Sequence, residues 1–304
     1  MSSAAAPVPS WHVALLVRHP TLGLGKIVHV SGNAVSIYFR DFPEKQPGDA
    51  LKLIDLRHCQ LKVAEVQSDP WLDNIPPLVD GKMFLSKPRL TVEQQISLFK
   101  NRYPHGFKDP SYLKQRDRYW NAHLAYVEQI GNGLGLKTLK QDSLAKLGGQ
   151  VRRVLGKSKY LNKYEALAFH DAIGDNNAAV AHKFFECLFT LVEEPQLTKA
   201  NLDPYFAAVC ELPWSGPKLS ATWPVSTILP YLADPSRFVL LQPEVTKQAA
   251  ERYPFNLMYD PEPNSRTYEQ LLILCDNLLA VLTPLGARDY TDVQAFIWAV
   301  GVHR

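Results

Sequence analysis

Apolar and polar residues alternate along the first part of the chain, then give way to spacings of three and four. Ala34-Val-Ser-Ile-Tyr-Phe-Arg40 sets Val35, Ile37 and Phe39 on one face, the period of a half-buried strand. Trp11–Val17 reads as a first strand and Lys26–Val30 as a second, and Ser31-Gly32-Asn33 supplies the residues of a hairpin turn. Gly23 and Gly25 stand at the corner between the first two strands, where a glycine gives either positive φ or close approach of backbones. Asp41–Asp49, with two prolines and a glycine, is a loop, and Leu51, Leu53 and Leu56 lead into a last strand near residues 60–66. Four or five short strands joined by tight turns predict a small, closed or nearly closed antiparallel β-barrel over residues 11–66.

Residues 67–90 form a proline-rich linker, pinned by Trp71, Ile75 and Phe84. Beyond it Thr91 and Gln94 make a capping box, and Val92, Ile96, Phe99 and Tyr103 follow one helical face. Asp109-Pro110 opens a second helix that runs to about Ile130, where Gly131, Gly133 and Gly135 break it. Further helices are predicted at 138–147, 150–155, 160–173, 177–193, 199–212, 222–232, 243–253, 266–283 and 290–300. The clearest, 266–283, repeats Tyr268, Leu271, Leu272, Cys275, Leu278, Leu279 and Leu282 at three and four. The expected fold class is therefore α+β, a small N-terminal antiparallel barrel followed by a larger all-α domain over 91–304, with residues 1–10 a disordered lead.

A hydrophobic content of 46% is enough for a sizeable core. The four cysteines, Cys59, Cys187, Cys210 and Cys275, lie far apart without a CxxC or Cys/His spacing, which argues against structural zinc and a disulfide framework. The N-terminal residues have neither the basic nor the apolar region of a signal peptide. No uninterrupted apolar run approaches the roughly 20 residues of a membrane span. A cytoplasmic protein without a membrane partner is the expectation.

Charge changes the picture more. Residues 98–165 hold fourteen basic against five acidic side chains, whereas residues 166–304 hold nine against sixteen. Two readings stay open: the basic stretch faces a polyanion, or the two stretches neutralise each other within one domain.

Val17-Arg18-His19-Pro20, Gly23-x-Gly25-x-Ile27-Val28 and Val35-x-Ile37-x-Phe39 together resemble the small Tudor-like barrels of bacterial nucleic-acid-associated proteins. These include the module at the tail of UvrD-type helicases and the barrel of CarD-type regulators. The resemblance implies a binding module without an active site, one that contacts RNA polymerase or assists work on nucleic acid. Segments of the helical part, RYPHGFKDPSYLKQRDRYW and DYTDVQAFIWAV, resemble stretches of uncharacterised bacterial proteins, and the second also resembles tails of restriction and other DNA-associated systems.

Two clusters carry the candidate chemistry. Lys100, Arg102, Lys108, Lys114, Arg116 and Arg118 interleave with Phe99, Tyr103, Phe107, Tyr112, Tyr119 and Trp120, and Lys114 and Arg118 share a helical face. Lys146, Arg152, Arg153, Lys157, Lys159 and Lys163 form the second. Phosphates need cations at several points of a surface, and aromatics stack on exposed bases. The aromatics are expected in the core, and phosphate contact is expected at Arg152, Arg153, Lys157 and Lys159, with Lys108, Lys114 and Arg118 beside them. His170, Asp171, His182 and Glu186 include the residue types of a metal site, but surface or satisfied core histidines are the reading preferred, and no metal is expected. There is no HExxH, no Gly-x-Ser-x-Gly, and no strand ahead of the Gly131–Gly135 loop to make it a phosphate cradle. The reading is a non-catalytic accessory protein with nucleic acid (DNA ahead of RNA) or RNA polymerase as partner and no cofactor. The alternatives are a metal-dependent, nuclease-like enzyme with its site in the helical domain, and a protein scaffold.

Overall fold

The computed structural model describes residues 10–46, 48–69, 71–79, 81, 89–132, 135–140, 144–158, 160–174, 177–214 and 221–302. The chain divides into two compact units: residues up to Leu98 with Gln248–Asn256, and Phe99–Lys247 with everything from Leu257 onward. The fold is α+β.

The first unit is built on five antiparallel strands, β1 (Leu16–His19), β2 (Gly23–Ser31), β3 (Ala34–Phe39), β4 (Leu51–Asp55) and β5 (Lys62–Val63), in the order β4-β3-β2-β1-β5. The alternation of β3 is realised: Val35, Ile37 and Phe39 are fully buried with Val17 and Ile27, and Trp11, Leu15, Leu22 and Phe42 pack around them. The barrel expectation reduces to a sheet that is not closed. β5 is two residues long and pairs with β1, and among the described residues it is not joined to β4 at the far edge. β1 starts at Leu16, not at Trp11, because Ala14 takes φ 75° and turns the chain just before it.

The other face of the sheet is also covered. Trp71, Leu72 and Ile75 of the connector are buried, and the Leu78 N–H donates to the Val28 carbonyl at 3.0 Å. Phe84 lies outside the described residues. Lys26 projects into this layer and its Nζ donates to the carbonyls of Asp73 (3.0 Å) and Ile75 (2.9 Å). Burial holds its ammonium below the ordinary lysine range, with Asp73 opposing. Trp71 meets Tyr253 edge to face at 4.8 Å between ring centres.

The corner glycines act in the two ways expected of them. Gly23 has φ 79°. Gly25 lies opposite Val17 on β1 and Phe39 on β3, and a Cβ there would stand 2.5 Å from Ile37 Cγ2 and 2.9 Å from Phe39 Cδ1.

Ten α-helices are described: α1 (Val92–Arg102), α2 (Pro110–Tyr126), α3 (Leu144–Ser158), α4 (Lys163–Ala172), α5 (Ala178–Glu193), α6 (Lys199–Glu211), α7 (Trp223–Ala233), α8 (Pro243–Arg252), α9 (Ser265–Leu282) and α10 (Tyr290–Val302). The division between the units falls within α1 and within α8. The capping box of α1 is formed, with Gln94 N–H on Thr91 Oγ1 and Thr91 N–H on Gln94 Oε1. α2 begins at Pro110 behind an Asp109 cap, as the sequence predicts, and passes at Val127–Gly131 into a wider π turn. The expected break between 147 and 150 is absent, and α3 runs through Gly148-Gly149. Each glycine costs a helix about 1 kcal/mol relative to alanine. Leu144, Leu147, Val151 and Val154, buried on either side, outweigh that. The stretch Ser265–Leu285 is long and apolar enough, by length and composition, to cross a membrane. One stripe of it, Tyr268, Leu271, Leu274, Cys275, Leu278 and Leu282, is buried within this unit.

The second unit has a charged centre. Asp292, on the first turn of α10, is fully buried. Its Oδ1 accepts from Arg116 Nη1 (2.7 Å), Arg288 Nη2 (3.0 Å) and the Tyr112 hydroxyl, and its Oδ2 accepts from Arg288 N–H (2.8 Å) and Nε (2.9 Å). Arg116 also grips Asp289 through both terminal nitrogens, at 2.8 and 2.5 Å. Burial by itself would raise the Asp289 carboxyl. The hydrogen bond and charge of Arg116, with the N–H groups of Asp292 and Thr291, outweigh burial and hold it below the usual carboxylate range. Arg116, expected among the phosphate-facing cations, is therefore engaged inside the fold.

Two predictions follow from these centres. Gly25→Val destabilises the protein by roughly 1–3 kcal/mol, read from urea denaturation, because the neighbouring strand must move; an unchanged midpoint would show that the corner tolerates a side chain. Arg116→Met removes the ion-pair partner of half-buried Asp289 and leaves buried Asp292 with Arg288 as its cation, and costs roughly 3–5 kcal/mol at neutral pH. Asp289 has a lowered folded value, so its contribution is complete above the unfolded value of about 3.9 and disappears as the pH falls through the folded one. The gap between wild type and Arg116→Met therefore narrows below about pH 4. A gap independent of pH would contradict the ion pair.

Candidate functional site

α3 is the most one-sided helix for charge. Its sequence, LAKLGGQVRRVLGKS, contains no acidic residue. Leu144, Leu147, Val151, Val154, Leu155 and Ser158 face inward, and Lys146, Arg152, Arg153 and Lys157 are all exposed. This follows from spacing: 146, 153 and 157 lie seven and four apart, and 152 borders them on the same solvent-facing arc. None of the four is in an ion pair among the described residues. Arg153 Nε reaches Gln129 Oε1 at 3.3 Å, which steadies one side of the arc while its charge stays in water. Gln150, nearly one turn earlier, donates from Nε2 to the Gln129 carbonyl and ties α3 to the end of α2.

The anticipated cations are thus placed on two elements. Arg152, Arg153 and Lys157 share the outer face of α3; Lys159 lies outside the described residues. Lys114 and Arg118 stand one turn apart on the exposed face of α2, and Lys108 is exposed in the 3-10 turn just before that helix. The interleaved aromatics are mostly core, as expected: Phe99, Tyr103, Phe107 and Tyr112 are buried in one ring cluster that includes Phe296. Arg102 lies over the Trp298 ring at 4.0 Å, so it too is drawn into the unit.

A cleft of about 410 Å³ opens between α3 and α4. Arg152 and Gly156 from α3 and Lys163 and His170 from α4 form its polar side, and Leu155, Leu161, Ala166 and Leu167 its apolar side. The capping box of α4 fixes the entry: Asn162 Oδ1 accepts from the N–H groups of Tyr164 and Glu165, and Glu165 Oε2 accepts from Asn162 N–H. Glu165 Oε1 accepts from the Thr222 hydroxyl at 3.1 Å, so both carboxylate oxygens are occupied by the fold. Asp171 stands 3.6 Å from His170 Nδ1. A site with two fixed cations, an imidazole and an apolar wall suits a ligand that is anionic at one end and flat or apolar at the other.

The sequence did not single out Tyr164, which is 76% exposed at the start of α4. The available signal was its position: it follows Lys163 directly and precedes Leu167 by one helical turn, on a side the buried stripe leaves free.

Among the described residues no three of the His, Cys, Asp and Glu side chains stand together as a metal site would require, and His170, Asp171, His182 and Glu186 are not gathered into one. Cys275 is fully buried on α9, where burial pushes its thiol far up, with Asp276 adding to the shift. Comparison with protein-family models, curated proteins and solved structures finds no match, so what the chain does is read from this geometry.

Proposed function

We propose that the protein is an accessory factor that acts by binding nucleic acid, DNA ahead of RNA, through the outer face of α3. The observation that carries the reading is the combination, on one face, of four exposed cations, no acid on the helix, and no ion pair to any of the four among the described residues. Cations kept unpaired in this way attract a polyanion and release its counterions on contact. Lys114 and Arg118 on α2, with Lys108 ahead of them, extend the available charge. The sequence resemblance to Tudor-like barrels of the UvrD-tail and CarD type, carried by the strands of the first unit, supports the same class of work.

A protein partner, RNA polymerase by that resemblance, is the second reading. It is favoured by β4, an edge strand whose Leu53 is 73% exposed. A strand edge that is unpaired among the described residues and carries an apolar side chain suits strand addition or docking.

The test is duplex DNA affinity across a salt titration, with a melting curve as control. Each phosphate neutralised contributes roughly 0.9 to the slope of log affinity against log salt on duplex DNA. Replacing Arg152, Arg153, Lys157 and Lys159 by glutamine flattens the slope by up to about 3–4 and weakens unrelated sequences alike, since phosphate contacts position without specifying. The melting temperature stays close to that of wild type, because exposed charges contribute little to stability. An unchanged slope would move the contact to Lys108, Lys114 and Arg118; no binding at low salt would remove the nucleic-acid reading.

A further inference from the structure

The cleft between α3 and α4 asks for a more definite occupant than a phosphate backbone. Arg152 belongs both to the outer face of α3 and to the wall of the cleft. A strand held on that face would therefore enter the cleft with a phosphate already at Arg152. Lys163 stands across the cleft as a second phosphate partner, exposed and without an ion pair among the described residues. Among the described residues no acidic side chain is part of the cleft lining; of the acids on α4, Asp171 stands 3.6 Å from His170 Nδ1 at the His170 end, away from Lys163 in sequence, and Glu165 has both oxygens engaged within the fold.

The apolar side fits the rest of a nucleotide. Leu167 lines the cleft and is itself 44% exposed, and Tyr164, one turn earlier, presents 76% of its surface to solvent. An isolated exposed tyrosine needs no explanation. This one is not itself part of the cleft lining, but it follows Lys163 directly and stands one helical turn before Leu167, both of which are, and an exposed ring beside a cation and an apolar wall is the arrangement on which unpaired bases stack. Bases inside a duplex are already stacked and paired, so an exposed ring is of use to a single strand and not to duplex DNA. A cleft of about 410 Å³ is also within the range of small-ligand sites and far too narrow for a double helix.

Gly156 adds a further observation. It lies in the last turns of α3 and is exposed, and a Cβ built on it would meet nothing within 4 Å. Packing within the protein does not call for a glycine there, although the helix loses about 1 kcal/mol by having one. It leaves the cleft wall as bare backbone beside Arg152, where a ligand can approach closely.

We infer that this cleft takes one nucleotide of a single strand, with its base over the Tyr164 ring and Leu167 and its phosphate on Arg152 and Lys163. The assignment rests on the reading of α3 as a nucleic-acid surface and adds to it a preference for unpaired bases.

The test measures anisotropy of a fluorescein-labelled oligothymidylate of about ten nucleotides, and of a duplex of equal length, at low salt. Base–aromatic stacking is worth roughly 1–3 kcal/mol by alanine substitution, so Tyr164→Ala should weaken the single strand roughly 5- to 150-fold. Duplex affinity should not change, and Tyr164→Phe, which keeps the ring, should bind the single strand like wild type. Equal single-strand affinity of Tyr164→Ala and wild type would overturn the cleft assignment while leaving the α3 reading intact. Failure of wild type to bind either probe would remove the α3 reading, and the cleft assignment with it. Displacement of the oligothymidylate by an equal concentration of thymidine monophosphate would overturn the strand in favour of a free nucleotide.

Discussion

A buried carboxylate organises the helical unit. Asp292 has no exposed side-chain surface, and a charge so far from water is sustained by opposite charge and hydrogen bonds in numbers. Arg116 from α2, Arg288 just before α10, and the Tyr112 hydroxyl meet that demand together. Burial, and after it the Asp292 charge, pushes the Tyr112 hydroxyl far above its ordinary value, so it remains a donor. α2 and α10 are thereby locked in register at their N-terminal ends. The far end of α2 carries Gln129, which receives Gln150 and Arg153 of α3. With Leu147, Val151 and Val154 turned inward against this frame, the cations of α3 have no orientation open to them except outward.

The same centre resolves the charge asymmetry of the chain. Among the described residues the basic middle and the acidic end pair at one place: Arg116 meets Asp289 and Asp292. Arg102 is drawn off onto the Trp298 ring. Lys146, Arg152, Arg153 and Lys157 are exposed and in no ion pair among the described residues. A net positive face thus arises from the fold's selective use of its cations and not from composition by itself.

Local structure was largely legible because local chemistry decides it. The alternation in Ala34–Phe39, the Thr91–Gln94 box, the Asp109-Pro110 start and the three-four repeat of α9 each appear where the sequence predicts them. The failures have physical causes beyond a local window. Gly148-Gly149 carries the local signature of a break, yet the buried stripe on either side holds α3 in one piece. Ala14 adopts a positive φ that its residue type disfavours, which delays β1. Strand count does not decide barrel closure, since pairing of the two sheet edges depends on partners far apart in sequence. The assignment of Gln248–Asn256 to the first unit is likewise a long-range fact without a local signature. In the candidate site, the cations of α3 were visible from spacing and the absence of acids. The fate of Arg116 was not, because its partners lie more than 170 residues away. The cleft was hidden for the same reason: α3 and α4 define it only once packed.

The most direct measurement of the central claim is hydrogen–deuterium exchange of the intact protein with and without oligonucleotide. The account predicts slowed exchange over α3 and the first turns of α4, appearing at low salt and vanishing as salt screens the contact. Slowed exchange confined to the β4 edge at Leu51–Asp55, with α3 unchanged at every salt concentration, would contradict it.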